Sequence, residues 1–252
     1  MGTGAITQYV DVAQLVLYAF WIFFAGLIYY LVRENHREGY PMETESGRGN
    51  VTGWPIPQPK TFKLAHGGEV TVPNLAASTQ RLAAEPAHRW AGSPLVPTGD
   101  PMLAGVGPGS WANRADTPDL NYEGTPKIVP LRLVAHSSVN RGDIDPRGLP
   151  VVGADGVVSG RVADLWLDTS EQIFRYFELE LAGSGRHVLV PMAFARVRRH
   201  EVRVEAVLGS QFAAVPALRQ PEVITLLEEE KIVAYFGGGT LYAHPSRLEP
   251  LL

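Results

Sequence analysis

With 252 residues, 22 Lys and Arg against 26 Asp and Glu, and a net charge of −4, the chain lacks the basic excess of a nucleic-acid binder. The absence of cysteine excludes disulfides, thiolate nucleophiles and Cys-ligated zinc or iron–sulfur sites. No two of the seven histidines lie three to five residues apart, so there is no local metal pair. Neither a G-x-S-x-G elbow nor a phosphate-binding glycine motif occurs.

The first element is unmistakable. Val12–Val32 holds no Asp, Glu, Lys, Arg or His, and Arg33, Glu34, His36, Arg37 and Glu38 follow almost together. At about 1.5 Å per residue, a helix of this length reaches roughly 30 Å, the hydrocarbon thickness of a bilayer. No Lys or Arg precedes the run and it ends in bulky Tyr29, Tyr30 and Leu31, unlike a cleaved signal peptide. The flanking charges, Asp11 before and Arg33 and Arg37 after, place residues 1–11 outside and the remaining bulk in the cytoplasm. Tyr9, Tyr18, Tyr29 and Tyr30 fit interfacial positions.

Residues 33–110 read as an extended surface segment. Its part from 41 to 110 holds 10 Pro and 10 Gly, yet Trp54, Ile56, Phe62, Leu64, Val70 and Trp90 punctuate it. Such a segment repays its ordering entropy only by lying across another surface; the alternative is a disordered tether. Residues 111–252 read as the globular domain. An apolar run at Lys127–Val134 is interrupted by Pro130. Leu149–Val152 and Val157–Leu167 flank an Asp155-Gly156 turn, the pattern of a hairpin. Phe174–Leu181 alternates, with Tyr176, Glu178 and Glu180 on one face. Arg186–Val190 and Val202–Ala206 complete a small antiparallel barrel. A helix is predicted around Leu226–Phe236, stopping at Gly237-Gly238-Gly239, with Thr240–Ala243 returning as a strand. The fold class is thus an α+β membrane protein: one N-terminal transmembrane helix, an irregular segment, a β-barrel and a C-terminal helix.

An ordered set of motifs carries a resemblance over the whole chain. Arg37-Glu38-Gly39-Tyr40-Pro41 follows the anchor. Pro59-Lys60-Thr61-Phe62, Pro97-Thr98-Gly99-Asp100-Pro101-Met102 and Gly105-Val106-Gly107-Pro108 come next. Lys127-Ile128-Val129-Pro130, Asp145-Pro146-Arg147-Gly148-Leu149-Pro150-Val151 and Asp164-Leu165-Trp166-Leu167-Asp168 lie in the β region, and Leu226-Leu227-Glu228-Glu229-Glu230-Lys231 near the end. In this order they resemble the H subunits of the photosynthetic reaction centres of purple bacteria, and the β region resembles the PRC-barrel module. The resemblance implies a cap on the cytoplasmic face of two partner chains, L and M, in the bacterial inner (intracytoplasmic photosynthetic) membrane. L and M carry bacteriochlorophyll, bacteriopheophytin, quinones and non-haem iron. The cap binds none of these cofactors and has no catalytic constellation of its own. A cytochrome subunit and a light-harvesting antenna belong to the same kind of complex, and membrane lipids surround the anchor.

The resemblance also implies a role in delivering protons to the secondary quinone. Carboxylates serve this best when burial or like charges raise their proton affinity. Matched by motif, Glu171 is the relay carboxylate, Asp168 its acidic neighbour and Arg175 a charge partner, with Asp164 in the same stretch. Glu229 and Lys127 join the charged interior. Residue types alone favour ordinary loop and surface charges, so these roles rest on the resemblance. Two other readings remain from the residues: a membrane-anchored barrel adaptor that binds a protein partner without photochemistry, and a tethered hydrolase, disfavoured by the missing nucleophile–base motif.

Some relatives carry a histidine pair before the lysine at position 127; here Glu123 and Thr125 stand at those places, leaving carboxylates such as Asp119 and Glu123 for proton entry. Imidazole binds transition metals and buffers protons near pH 6.5, whereas these side chains do so less well. Added zinc or cadmium is therefore expected to slow proton uptake less than in relatives with the pair. Equal inhibition at equal metal concentration, followed with a pH-indicator dye after a flash, would refute this.

Overall fold

A computed structural model describes residues 4, 6, 11–40, 42–43, 50–51, 55–65, 67–73, 82–90 and 93–248. Tyr9 and Trp54, and nearly all of residues 1–11, lie outside the described residues. Internal contacts divide the chain into two compact units, Met1–Gln80 with Trp90–Gly92, and Arg81–Arg89 with Ser93–Leu252.

In the first unit, helix α1 spans Val12–Asn35, three residues beyond the apolar run. Asp11 caps its start by accepting the Gln14 N–H at 2.7 Å. None of its residues is buried, and the helix is long and apolar enough to cross a membrane. The charged last turn stays helical because Glu34 accepts two hydrogen bonds from Arg37, at 2.6 and 3.0 Å. Four short strands follow: β1 (Met42–Glu43) pairs with β2 (Asn50–Val51), and β3 (Lys60–Lys63) with β4 (Glu69–Val72).

The second unit opens with another small ladder, β5 (Ala84–Pro86) on β6 (Leu95–Pro97). Leu82, Leu95, Val96 and Leu103 remain exposed on this stretch. The seven-stranded sheet then forms from β7 (Ile128–Pro130), β8 (Pro150–Val152), β9 (Val158–Asp168), β10 (Ile173–Leu181), β11 (His187–Pro191), β12 (Ala195–Val197) and β13 (Val202–Val204), six of them in the order 11-10-9-8-13-12 and β7 paired to β9 off this path. It curls into a half-barrel. Strand β9 organises it. One edge takes β10 along most of its length; the other takes β8 near its start and β7 at its end. The Asp155-Gly156 turn joins β8 to β9 as the sequence predicts, with Gly156 at φ 81°. The β8–β13 pair is parallel, an exception to the otherwise antiparallel sheet.

Trp166, Phe177, Leu179, Leu189, Phe212 and Phe236 are buried in one hydrophobic cluster to which the sheet and helix α2 (Leu226–Tyr242) both contribute. A capping box starts α2 where the sequence places it: the Thr225 hydroxyl accepts the Glu228 N–H, and the Glu228 carboxylate accepts the Thr225 N–H. The end differs from expectation. The helix does not stop at Gly237-Gly238-Gly239 but continues to Tyr242, and the predicted strand at Thr240–Ala243 is its last turn and C-cap. These glycines serve close approach. A Cβ at Gly237 would lie 2.6 Å from the Pro108 carbonyl oxygen, and one at Gly239 would lie 2.5 Å from that of Ala206. The 107–109 turn therefore packs backbone to backbone on α2. An alanine in a free helix interior gains about 1 kcal/mol over glycine. At Gly239 the clash reverses the sign. Gly239→Ala is expected to lower the unfolding free energy by about 1–3 kcal/mol in urea titration.

Candidate functional site

The end of strand β9 builds the site. Ile128 pairs with Asp168 across the β7–β9 ladder, which brings the adjacent Lys127 beside the Asp168 side chain. Thr169 reinforces this by donating both its N–H and its hydroxyl to the Lys127 carbonyl, at 2.9 and 3.0 Å. Asp168 is fully buried. Its Oδ1 accepts the N–H groups of Ser170 and Glu171, each at 3.0 Å, which folds the 169–172 turn onto the strand end. Its Oδ2 has no hydrogen-bond partner but faces Lys127 Nζ at 3.4 Å and Arg175 Nε at 3.5 Å.

The same two cations reach Glu171, at 3.7 Å each. Asp119 approaches Lys127 at 3.9 Å, so its carboxylate stands at the edge of the group. Glu229, in the first turn of α2, accepts a 2.8 Å hydrogen bond from the Tyr176 hydroxyl, and Arg175, Asp119 and Lys127 all act on it electrostatically. Asp119, Lys127, Asp168, Glu171, Arg175 and Glu229 thus form one charged neighbourhood. Glu123 stays on the exposed 121–125 turn, where its N–H and that of Thr125 bond the Asn121 side chain.

Charge states differ within this group. Burial pushes Asp168 up, but the Glu171 and Ser170 N–H groups and Lys127 outweigh it and hold the carboxyl below its ordinary value. Burial pulls Lys127 down, and the attraction of Asp168, Glu171 and Asp119 more than restores it. For Glu229 burial wins over the Tyr176 hydrogen bond and the nearby cations, and its proton affinity is raised. Tyr176 itself is pushed well above the phenol range by burial and by Glu229, so it remains a hydrogen donor. Glu171, with half its side chain exposed, shares Lys127 and Arg175 with the anion fixed in the fold.

Asp164 is not brought into this neighbourhood. It shares a face of β9 with Asp168 but lies four residues away, about 13 Å along the strand. Its partners are the N–H and guanidinium of Arg132, both at 3.1 Å. There it belongs to a second network that sequence reasoning missed. Buried Glu178 accepts bonds from Arg132 at 2.7 Å, the Trp166 indole at 3.0 Å and His187 Nδ1 at 2.6 Å. A cleft of about 790 Å³ opens beside it, bounded also by Arg147, Leu218 and Arg219. Glu178 sits in the alternating β10 pattern as if solvated; the apolar residues on both faces of β9 were the available signal that the sheet is covered on both sides.

Two family models match the chain. That of the photosynthetic reaction centre H-chain N-terminal region covers residues 4–133, and that of the PRC-barrel domain covers 141–211. The chain belongs to the reaction-centre H-chain family. As an H-chain family member it is a subunit of a photosynthetic reaction-centre complex and a membrane-associated, single-pass protein. The assignment sets aside an anchored adaptor without photochemistry. It also accounts for the exposed apolar side chains along the H-chain region, which a subunit of a larger complex can cover.

The two charge states predict opposite pH behaviour. Asp168, with its folded value lowered, stabilises the fold above its unfolded value near pH 4, and this is lost as pH falls through the folded value. Asp168→Asn is expected to cost about 1–3 kcal/mol at neutral pH, with the gap to the wild type closing in acid. Glu229, with its folded value raised, contributes stability in acid that is lost as pH rises through that value. Glu229→Gln is expected to stabilise at neutral pH. Thermal unfolding from pH 3 to pH 8 reads both signs.

Proposed function

We propose that this subunit caps the cytoplasmic face of the L and M chains, stabilises them, and conducts protons to the secondary quinone held there. The L and M chains supply the bacteriochlorophyll, bacteriopheophytin, quinones and non-haem iron. This chain supplies the protonatable path. Its N-terminus lies on the periplasmic side of the intracytoplasmic membrane.

The observation that carries the reading is the coupling of Glu171 and Asp168 to the same two cations, with Glu229 beside them. Asp168 cannot serve as a carrier while its carboxyl is held ionised; it acts as the fixed charge that keeps Lys127 and Arg175 in place. Among the described residues no backbone N–H bonds the Glu171 carboxylate, and half of its side chain is exposed, so water reaches it on one side. Glu229, whose burial favours the protonated form, is suited to hold a proton inside, and the Tyr176 hydroxyl orients its carboxyl. Asp119, at the edge of the group, is the entry carboxylate closest to Lys127. Carriers with different proton affinities near one another, linked by ordered water, can pass a proton without a free ion in an apolar interior.

Glu171→Gln keeps the size of the side chain and removes its titration. In the assembled complex it is expected to slow the second electron transfer to the secondary quinone, or the proton uptake coupled to it, by about tenfold, below the usual range for a positioned proton-transfer group because Asp119 and Glu229 remain. Primary charge separation should be unchanged. Flash kinetics between pH 6 and 9 read both quantities, and wild-type rates across that range would remove Glu171 from the path.

A further inference from the structure

The first unit holds a feature that the proton path does not use. Strands β3 and β4 form a hairpin whose register places Phe62 opposite Val70 and Lys60 opposite Val72 on one face. Thr61 and Thr71, joined by a 2.8 Å hydroxyl contact, lie on the other face, with Lys63 opposite Glu69. Phe62, Leu64 and Val70 are 40%, 51% and 44% exposed. A hairpin normally turns such residues to a core. Here they front a groove of about 480 Å³ whose other wall is the end of α1: Glu34, Asn35, Arg37 and Glu38.

The hairpin is clamped to that helix end. Arg37 Nη1 donates to the carbonyls of Gln58 and Val72, at 2.8 and 3.2 Å, which hold the base of the hairpin. The His36 ring bonds the Pro55 carbonyl at 2.7 Å. The 24 residues of α1 reach about 36 Å, longer than the roughly 30 Å hydrocarbon core, so its last turn stands in the headgroup layer. Bonded to that turn, the hairpin base stands at the same depth, and its apolar face is turned toward the helix end rather than away from it.

We propose that the β3–β4 hairpin is an interfacial anchor: Phe62, Leu64 and Val70 enter the acyl boundary of the bilayer that α1 crosses, and Lys60 meets a phospholipid phosphate. Three observations select phospholipid as the occupant. The apolar face is continuous with the last turn of a membrane-spanning helix. Its aromatic and aliphatic side chains lie at the depth where amphipathic segments bury their apolar side. Lys60, whose ammonium stands 5.1 Å from the Phe62 ring, makes no salt bridge among the described residues and acts on Glu34 only at longer range, and a lysine stem lies along apolar surface while its charge reaches the phosphate layer. The hairpin would fix the rotation and depth of a lone helix, which cannot fix them itself.

The cysteine-free sequence makes the test direct, because one introduced cysteine gives one spin label. The full chain carrying Leu64→Cys or Lys63→Cys is labelled in vesicles of phosphatidylcholine and phosphatidylglycerol, and collisions with oxygen and with a water-soluble nickel chelate are compared. The lipid anchor predicts oxygen-rich, nickel-poor collisions at position 64 and the reverse at 63, on the opposite face. Val70→Cys and Glu69→Cys read the same two faces from β4 if either first variant misfolds. Equal nickel access on both faces overturns the proposal. So does loss of both collisions at position 64 in the complete reaction-centre complex, which would assign the face to a protein chain.

Discussion

A carboxylate taken fully out of water must find positive charge, and Asp168 finds it twice. Its burial is affordable only because one oxygen takes two backbone N–H groups while the other stands between Lys127 and Arg175. That requirement shapes the surroundings. It ties the β7 edge to the end of β9, folds the 169–172 turn, and aims two long cationic side chains at one point. Glu171 and Asp119 then gather on cations whose positions Asp168 has already set. The site is therefore a consequence of one buried ion in the sheet, with the exchangeable carboxyls arranged around it.

The same strands carry a second ionic system of different character. Around Glu178 both oxygens are engaged by Arg132, Trp166 and His187, and Asp164 takes the remaining reach of Arg132. Nothing there is left half-paired, and the network ties the 131–133 turn to the middle of the sheet. At the end of β9, by contrast, the buried oxygen of Asp168 lacks a hydrogen bond and the neighbouring carboxyls are partly wet. A closed network specifies structure; an open one leaves protons room to move.

Much of this was legible in the sequence because it depended on local rules. The apolar run of α1, the Asp155-Gly156 turn and the start of α2 follow from hydropathy, turn chemistry and helical patterning after Pro221. The grouping of Lys127 with Asp168, Glu171 and Arg175 followed from the family resemblance; their spacing alone did not distinguish them from loop charges. What escaped depended on distant surfaces. Three consecutive glycines ordinarily end a helix, and only the 107–109 turn and Ala206 pressing on α2 explain why these do not. Asp164 looked like a companion of Asp168 in one motif, yet four residues of extended chain separate them by more than a side chain can span. The burial of Tyr176 and Glu178 is not written in the alternation of β10 itself; its signal lies in the neighbouring strand β9, which is apolar on both faces.

The glycine contact between the 107–109 turn and α2 also bears on how such a chain can be taken apart. The turn and strand β7 belong to the H-chain region matched at residues 4–133, the other six strands of the half-barrel to the module matched at 141–211, and α2 to neither. Yet the turn meets the helix through bare backbone, and the helix covers the sheet with Phe236. Bare backbone has no rotamers with which to adapt to a substitute. The familiar module boundaries are thus poor places to cut: a barrel moved alone into another protein would arrive without its lid, and a chain given a foreign C-terminal helix would lose the seat of its own preceding segment. In this chain the piece held together by these contacts runs from the turn through the last helix.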